Sequence, residues 1–276
     1  MTTEVSYAIT YVRPDSDQLL FLFTGNKEGM TLPPMDFIRK TGIGNRNIVI
    51  FRDPHHSCYL KGLCDEYGSM DGIVAWQKEK LADRFSHVRE IYCVGTSGGG
   101  GPAIYTAYHL RARAAWSFGG RIARLGKIQE RDRHREDFHL ETLGRKIPGR
   151  MTPEERARIS MALEQPEVRE LRRNLTEIPE KILDLEWIDR LAGRIRTDPV
   201  PTDFHLYYAP TNDVDRTFAE AFRDLPRACL HPVTPSWGDS PPPPRASLGA
   251  ADHLVVNMLD SMGGLSAIFA PYLNHP

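Results

Sequence analysis

The chain has 276 residues, of which 41% are hydrophobic, enough for one large α/β domain or for one domain with an insertion. The formal net charge is -1, so the chain lacks the excess of basic residues that non-specific nucleic-acid binding usually requires. The N-terminus has no basic segment followed by an apolar one, and no apolar stretch approaches the roughly 20 residues of a membrane span. The four cysteines form no CxxC pair. The sequence therefore predicts a cytoplasmic protein with free thiols and with neither a nucleic-acid nor a membrane partner.

Apolar runs of strand length alternate with segments of helical spacing along most of the chain. The predicted strands are Val5–Val12 at an edge, followed by Gln18–Thr24, Asn47–Phe51, Glu90–Val94, Ala114–Phe118, Phe204–Tyr208 and Ala228–Val233. The predicted helices are Tyr67–Phe85, Pro102–Arg113 and Asp252–Phe269. Strands in this alternation predict an α/β fold, in which a mostly parallel central sheet carries helices on both faces.

Residues 121–199 interrupt this alternation. They contain no strong strand pattern, and they are dense in arginine, glutamate and aspartate. Helical spacing recurs within them, at Pro153–Leu163, Glu167–Leu175 and Pro179–Leu191. We therefore expect a core formed by residues 1–120 and 200–276 and a helical insertion at 121–199. The insertion is interpreted as a lid over the active site, and a solvated helical excursion without substrate contact is the alternative.

The most specific motif is Gly95-Thr96-Ser97-Gly98-Gly99, which follows a predicted strand and precedes a predicted helix. A serine at such a sharp strand-to-helix turn is the arrangement of a nucleophile elbow. The flanking glycines allow strand and helix to approach closely. The N–H of Gly98 would lie at a helix N-terminus, where a developing negative charge is stabilised.

A nucleophilic serine also needs a base and a carboxylate that orients the base. Asp213 and Asp215 follow the predicted strand that ends at Tyr208, and His253 opens the last predicted helix. The chain therefore presents a serine, an acid and a histidine in the order expected for a triad on this architecture.

With this elbow, these carboxylates and this histidine, the chain resembles the α/β-hydrolase superfamily. The resemblance covers the predicted core, and the insertion falls where this superfamily carries lids. It implies that Ser97 is the nucleophile, His253 the general base and Asp213 the orienting acid, with Asp215 as the alternative acid.

The resemblance also implies an oxyanion hole with two backbone donors. One is Gly98, and the second is expected in the loop after the strand that ends at Thr24, where Asn26 is the candidate and Gly25 the alternative. This loop departs from the His-Gly-Gly-Gly version found in many lipases and esterases.

Two neighbouring histidines, His55 and His56, follow another strand and are candidates for lining the substrate pocket. Adjacent residues do not readily face one point, so no metal site is predicted there, and Asp53-Pro54 is interpreted as a turn. The glycine run 98–101 lacks the Lys-Ser/Thr of a phosphate-binding loop. No metal and no cofactor are predicted.

The resemblance implies a hydrolase of carboxylesterase or thioesterase type (EC 3.1) that acts on a small-molecule acyl ester or thioester through an acyl-enzyme on Ser97. A role in small-molecule (secondary metabolite) biosynthesis, with an acyl group tethered to a carrier protein, fits the same chemistry. The alternative is a non-catalytic binding or accessory protein of the same fold. The acyl substrate, the choice between hydrolysis, cyclisation and transfer, the motion of the insertion and the oligomeric state stay open.

Overall fold

A single sheet of seven strands organises the residues that the computed structural model describes, namely 7–25, 30, 32–122, 183–210, 212–234, 259 and 264–273. In chain order the strands are β1 (Ala8–Tyr11), β2 (Gln18–Phe23), β3 (Asn47–Phe51), β4 (Glu90–Thr96), β5 (Ala114–Phe118), β6 (Asp203–Tyr208) and β7 (Ala228–Pro232). Across the sheet their order is β1-β3-β2-β4-β5-β6-β7, with β1 antiparallel at one edge and every other neighbouring pair parallel. The predicted sheet and its edge strand are confirmed.

Side chains of the central strands enter two separate cores, one on each face of the sheet. Every residue of β2, β3 and β5 is buried, as expected for parallel strands covered on both sides. In β2, Phe21 and Phe23 lie in one core, and Leu20 and Leu22 lie in the other. This two-sided burial explains why these strands are continuous apolar runs rather than alternating ones.

Helices cover both faces of the sheet, as predicted. The described helices are α1 (Pro34–Thr41), α2 (Met70–Asp83), α3 (Gly100–Leu110), α4 (Leu185–Thr197), α5 (Asp213–Glu220) and α6 (Leu265–Leu273). Buried residues of α2, α3, α4 and α5 belong to one core, and those of α1 and α6 belong to the other. Within the described ranges, no helix has the length and apolar character that crossing a membrane requires.

The predicted helical insertion lies mostly outside the described residues, which resume at Leu183. Its last part is α4, which packs on the sheet. Ile188, Leu191 and Ile195 are buried in the same core as α2 and α3, and the Trp187 ring lies 5.5 Å from the ring of Tyr105 on α3. Helix α4 is therefore part of the crossover from β5 to β6 and packs in the same core as α2 and α3.

The strand order creates a crevice between the carboxyl ends of β2 and β4. The chain leaves β2 toward β3 on one side and leaves β4 toward β5 on the other. Neighbouring parallel strands whose connections depart in opposite directions form a topological switch point, where open α/β sheets bind their ligands. Gly25 follows β2 and Ser97 follows β4, so both residues border this crevice.

Candidate active site

Ser97 occupies the turn between β4 and α3 and has a backbone conformation that is unusual for its residue type. Thr96 is still extended, at φ -122° and ψ 141°, whereas Ser97 has φ +52°. A short 3-10 turn over Ser97–Gly99 then leads into α3. A non-glycine residue with positive φ is strained, and such strain is characteristic of the nucleophile elbow.

The glycines on either side of Ser97 are required by close backbone contacts. A Cβ atom at Gly95 would lie 2.0 Å from the carbonyl oxygen of Gly99. A Cβ atom at Gly99 would lie 2.2 Å from the carbonyl oxygen of Phe23 in β2. Both distances are far below van der Waals contact, so the Gly-x-Ser-x-Gly pattern follows from the approach of β4, the turn and β2.

The loop after β2 lies against the serine. A Cβ atom at Gly25 would be 3.1 Å from Cβ of Ser97 and 3.2 Å from the carbonyl oxygen of Thr96. Gly98, the predicted first oxyanion donor, is buried in the turn directly ahead of α3. Asn26, the predicted second donor, lies outside the described residues.

Tyr59, which the sequence analysis did not single out, supports this loop. Its hydroxyl lies 2.8 Å from the carbonyl oxygen of Phe51 and 3.1 Å from that of Thr24, so it joins the ends of β3 and β2. Tyr59 is fully buried with φ +62°, and burial raises the pKa of its phenol well above the usual range. The residues around Tyr59 contain no pattern that predicts a left-handed conformation. The sequence therefore did not show that Tyr59 joins the ends of β2 and β3.

The predicted pocket histidines lie on the exposed side of the loop after β3. His55 and His56 are both exposed. The buried carboxylate of Asp53 accepts hydrogen bonds from the backbone N–H groups of His55 at 3.1 Å and Tyr59 at 3.0 Å. Asp53 therefore organises the turn, as predicted, and burial raises the pKa of its carboxyl group.

The two candidate acids have different surroundings although both belong to α5. Asp213 is the first residue of the helix, is about half exposed and forms an ion pair with Arg216 one turn later. Asp215 is fully buried. Within the described part of the chain, neither carboxylate oxygen of Asp215 makes a hydrogen bond of normal geometry.

Asp215 lies against the segment that leaves β5. Its closest described cation is Arg121, whose Nη2 is 3.9 Å from Oδ1. Burial raises the pKa of Asp215 to about 6, against the opposing effects of Arg121 and of the backbone at Ala209. The same segment contacts the elbow, because the Arg121 N–H donates to the carbonyl oxygen of Ser97 at 3.1 Å.

The structure thus brings Ser97, Gly98, Gly25 and Asp215 to the carboxyl edge of the sheet and leaves Asp213 at the surface. His253, the predicted base, lies outside the described residues. The sequence did not identify Arg121 as a site residue, because it is the first residue of the predicted insertion, which contains many other arginines.

Comparison with solved structures identifies the fold. A carboxylesterase structure from the thaumarchaeon Nitrososphaera gargenis aligns over 96% of this chain and 95% of its own, with 11% identity and a TM-score of 0.51. MenH from S. aureus aligns over 93% of this chain and 98% of its own, with 14% identity and a TM-score of 0.46. An esterase from Pyrococcus furiosus aligns over 97% and 91%, with 13% identity and a TM-score of 0.47. No protein-family model and no curated protein sequence matches the chain.

The first of these similarities and the strand order together define the class. The chain has the α/β-hydrolase fold, with its nucleophile-elbow sequence at the topological switch point.

Proposed function

We propose that the chain is a serine hydrolase that cleaves a carboxylic ester or thioester through an acyl-enzyme on Ser97. The observation that carries this proposal is the left-handed backbone of Ser97 at the end of the central strand, bordering the crevice between β2 and β4. Strained backbone conformations cluster at active sites, where they help to aim a side chain at the ligand. The structure from Nitrososphaera gargenis that shares this fold is described as a carboxylesterase, which supports an ester as the substrate.

In the proposed reaction, Ser97 Oγ attacks the acyl carbonyl carbon while His253 takes the hydroxyl proton. The tetrahedral oxyanion accepts hydrogen bonds from the Gly98 N–H and from the loop after β2, with Asn26 as the expected second donor. Collapse of this intermediate expels the alcohol or thiol, which receives the proton from His253. Water then attacks the acyl-enzyme by the same route and releases the carboxylic acid. The reaction uses no cofactor.

We assign the orienting role to Asp215 rather than to Asp213. A triad acid must be held in place and withdrawn from water so that it can fix the imidazole. Asp215 is fully buried, with carboxylate oxygens that lack a hydrogen bond among the described residues. A buried carboxylate needs such a partner, and the Nδ1–H of His253 would supply it. Asp213 is half exposed and already paired with Arg216.

Labelling with a fluorophosphonate tests the nucleophile. We expect one adduct per chain by mass spectrometry on the wild type, and none on Ser97→Ala. Ser86→Ala is the matched control, since Ser86 is an exposed serine remote from the elbow, and it should be labelled like the wild type. A folded wild type that takes up no adduct and hydrolyses no ester would contradict the proposal and favour a non-catalytic binding protein.

A pair of isosteric variants tests the acid. Asp215→Asn should lower kcat for an ester by about 10⁴-fold, the scale known for amide replacement of a triad acid. Asp213→Asn should change kcat by no more than a few-fold, because an exposed ion pair contributes little. The reverse pattern would return the orienting role to Asp213, without changing the assignment of Ser97.

A further inference from the structure

A second cluster of reactive side chains lies on the sheet away from Ser97. His205 is on β6, and Cys229 and His231 are on β7, the edge strand. His205 stands directly opposite Cys229 in the parallel ladder. One donor atom from each residue, imidazole nitrogen or thiol sulfur, lies within 4.8 Å of the other two. Two imidazoles and a thiolate are a donor set that Zn²⁺ prefers.

The two imidazoles already have the spacing that a shared metal needs. His205 Nδ1 lies 3.1 Å from His231 Nε2. Two nitrogens that are each about 2.0–2.1 Å from one tetrahedral zinc ion are roughly 3.3 Å apart. The ring of Tyr207 stacks on that of His231 with centroids 4.3 Å apart, which fixes the imidazole plane. Only a small movement of either ring would therefore place both nitrogens on one ion.

A second layer of hydrogen bonds sets the tautomer of His205. Its Nε2 lies 2.7 Å from the hydroxyl oxygen of Tyr272 on α6. Tyr272 donates its single hydroxyl hydrogen to Oδ2 of Asp203 at 3.3 Å, so it accepts from the Nε2–H of His205. The lone pair of His205 is then on Nδ1 and points at His231. Metal-ligating histidines characteristically donate their other N–H in this way.

From this cluster and its supporting layer we infer that His205, Cys229 and His231 form a binding site for a zinc ion. Binding transfers the Cys229 thiol proton to solvent, and His231 adopts the tautomer with its hydrogen on Nδ1. Cys229 is exposed at the sheet edge, so a water molecule can complete a tetrahedral shell. All three ligands lie within β6 and β7, whereas Ser97 lies beyond the carboxyl end of β4 and is separated from β6 by β5. The ion would therefore join β7 to β6 and would not take part in acyl transfer.

Metal binding to the purified full chain tests this inference. After chelator treatment and desalting, equilibrium dialysis against micromolar Zn²⁺ should give one bound equivalent for the wild type, and Co²⁺ should produce the near-ultraviolet absorption of a cobalt–thiolate bond. Cys229→Ser/His231→Gln should bind no Zn²⁺ at that concentration and show no thiolate band. The matched control is Cys64→Ser/His87→Gln, which removes a partly exposed thiol and an exposed imidazole elsewhere and should bind like the wild type.

The second layer gives an independent readout. Tyr272→Phe removes the acceptor of the His205 N–H but keeps the ring and the backbone carbonyl that Tyr92 contacts. We expect its zinc affinity to fall by about 10- to 100-fold. Equal zinc binding by the wild type and by folded Cys229→Ser/His231→Gln, or no binding by the wild type, would overturn the assignment. Circular dichroism of each variant establishes that it is folded.

Discussion

At the scale of single residues, the elbow depends on the absence of side chains as much as on Ser97 itself. Gly99→Ala would place a methyl group 2.2 Å from the Phe23 carbonyl oxygen, which is backbone of the neighbouring strand and cannot rotate away. We expect this variant to lose about 3 kcal/mol of unfolding free energy. Because the turn must shift to accommodate the methyl group, Ser97 should also lose its reactivity toward a fluorophosphonate. Urea unfolding and labelling measure the two effects.

The control for this prediction is Gly193→Ala. Gly193 lies inside α4, and a Cβ atom there would meet nothing within 4 Å. Alanine is the better helix former, so this variant should be more stable by about 0.5–1 kcal/mol and should keep the reactivity of Ser97. If Gly99→Ala were as stable and as reactive as the wild type, the close approach of β2 to the turn would be wrong.

At the scale of elements, variants in α4 test whether this helix belongs to the core or to a separate insertion. Ile188 is fully buried in the core below α2 and α3. We expect Ile188→Ala to lower the free energy of unfolding by about 2–5 kcal/mol, the usual cost of emptying such a site. Arg190→Ala, on the exposed face of the same helix, should change it by less than about 0.5 kcal/mol, because Arg190 forms an exposed ion pair with Glu186. A helix belonging to a detachable lid would instead give two small and similar effects in global unfolding.

Some elements of the fold could be predicted from the sequence and others could not, depending on their length and on where they pack. Strands β2, β3 and β5 are short, continuous apolar runs of five or six residues, the length and pattern of parallel strands buried on both faces. Helices α1 and α5 span only eight residues each, begin at Pro34 and at Asp213, and are too short for a clear helical period. The buried face of α4 was recognisable, but its partner on α3 is about 80 positions away along the chain, so pattern alone could not attach it to the core.

At the candidate site, too, local motifs could be predicted from the sequence, whereas contacts between distant residues could not. The elbow is a local motif, and its glycines report contacts made within a few residues and with β2. The choice between Asp213 and Asp215 depends on which of them faces the segment 119–121. Both follow the same strand within one helical turn of each other, so their position in the sequence does not reveal that contact. His205 and His231 are 26 positions apart and meet only through strand register.

At the scale of the whole molecule, the sheet order separates the proposed active site from the proposed zinc site. The crevice between β2 and β4 arises from the reversal of connection direction, and the strained Ser97 borders it. The buried carboxylate of Asp215 lies against the segment after β5, which in turn contacts Ser97. Strand β7 forms the sheet edge that lies farthest from β1, and it has no further strand on its outer side among the described residues. A metal ion that bridges β7 to β6 would stabilise that edge without altering the crevice, so zinc should raise the melting temperature and leave kcat unchanged.

The stability of the whole molecule should also carry the signature of Asp215. Burial raises its pKa from 3.8 to about 6 in the folded chain, whereas the unfolded chain keeps an ordinary value near 3.9. Between these values the folded state binds more protons than the unfolded state, so stability should fall as the pH rises from about 4 to about 6 and then level off. Asp215→Asn removes this slope, and at pH about 8 it should be more stable than the wild type by up to about 3 kcal/mol.

Urea unfolding of three proteins across this pH range separates the possible roles of the carboxylate. Asp213→Asn is the matched control and should retain the slope of the wild type, because it leaves Asp215 and its buried surroundings unchanged. If Asp215→Asn is both more stable at high pH and nearly inactive toward esters, the cost of ionising a buried carboxylate is retained for function, as expected of a triad acid. If it is instead less stable than the wild type at high pH, Asp215 serves mainly to hold Arg121 and the segment after β5 in place.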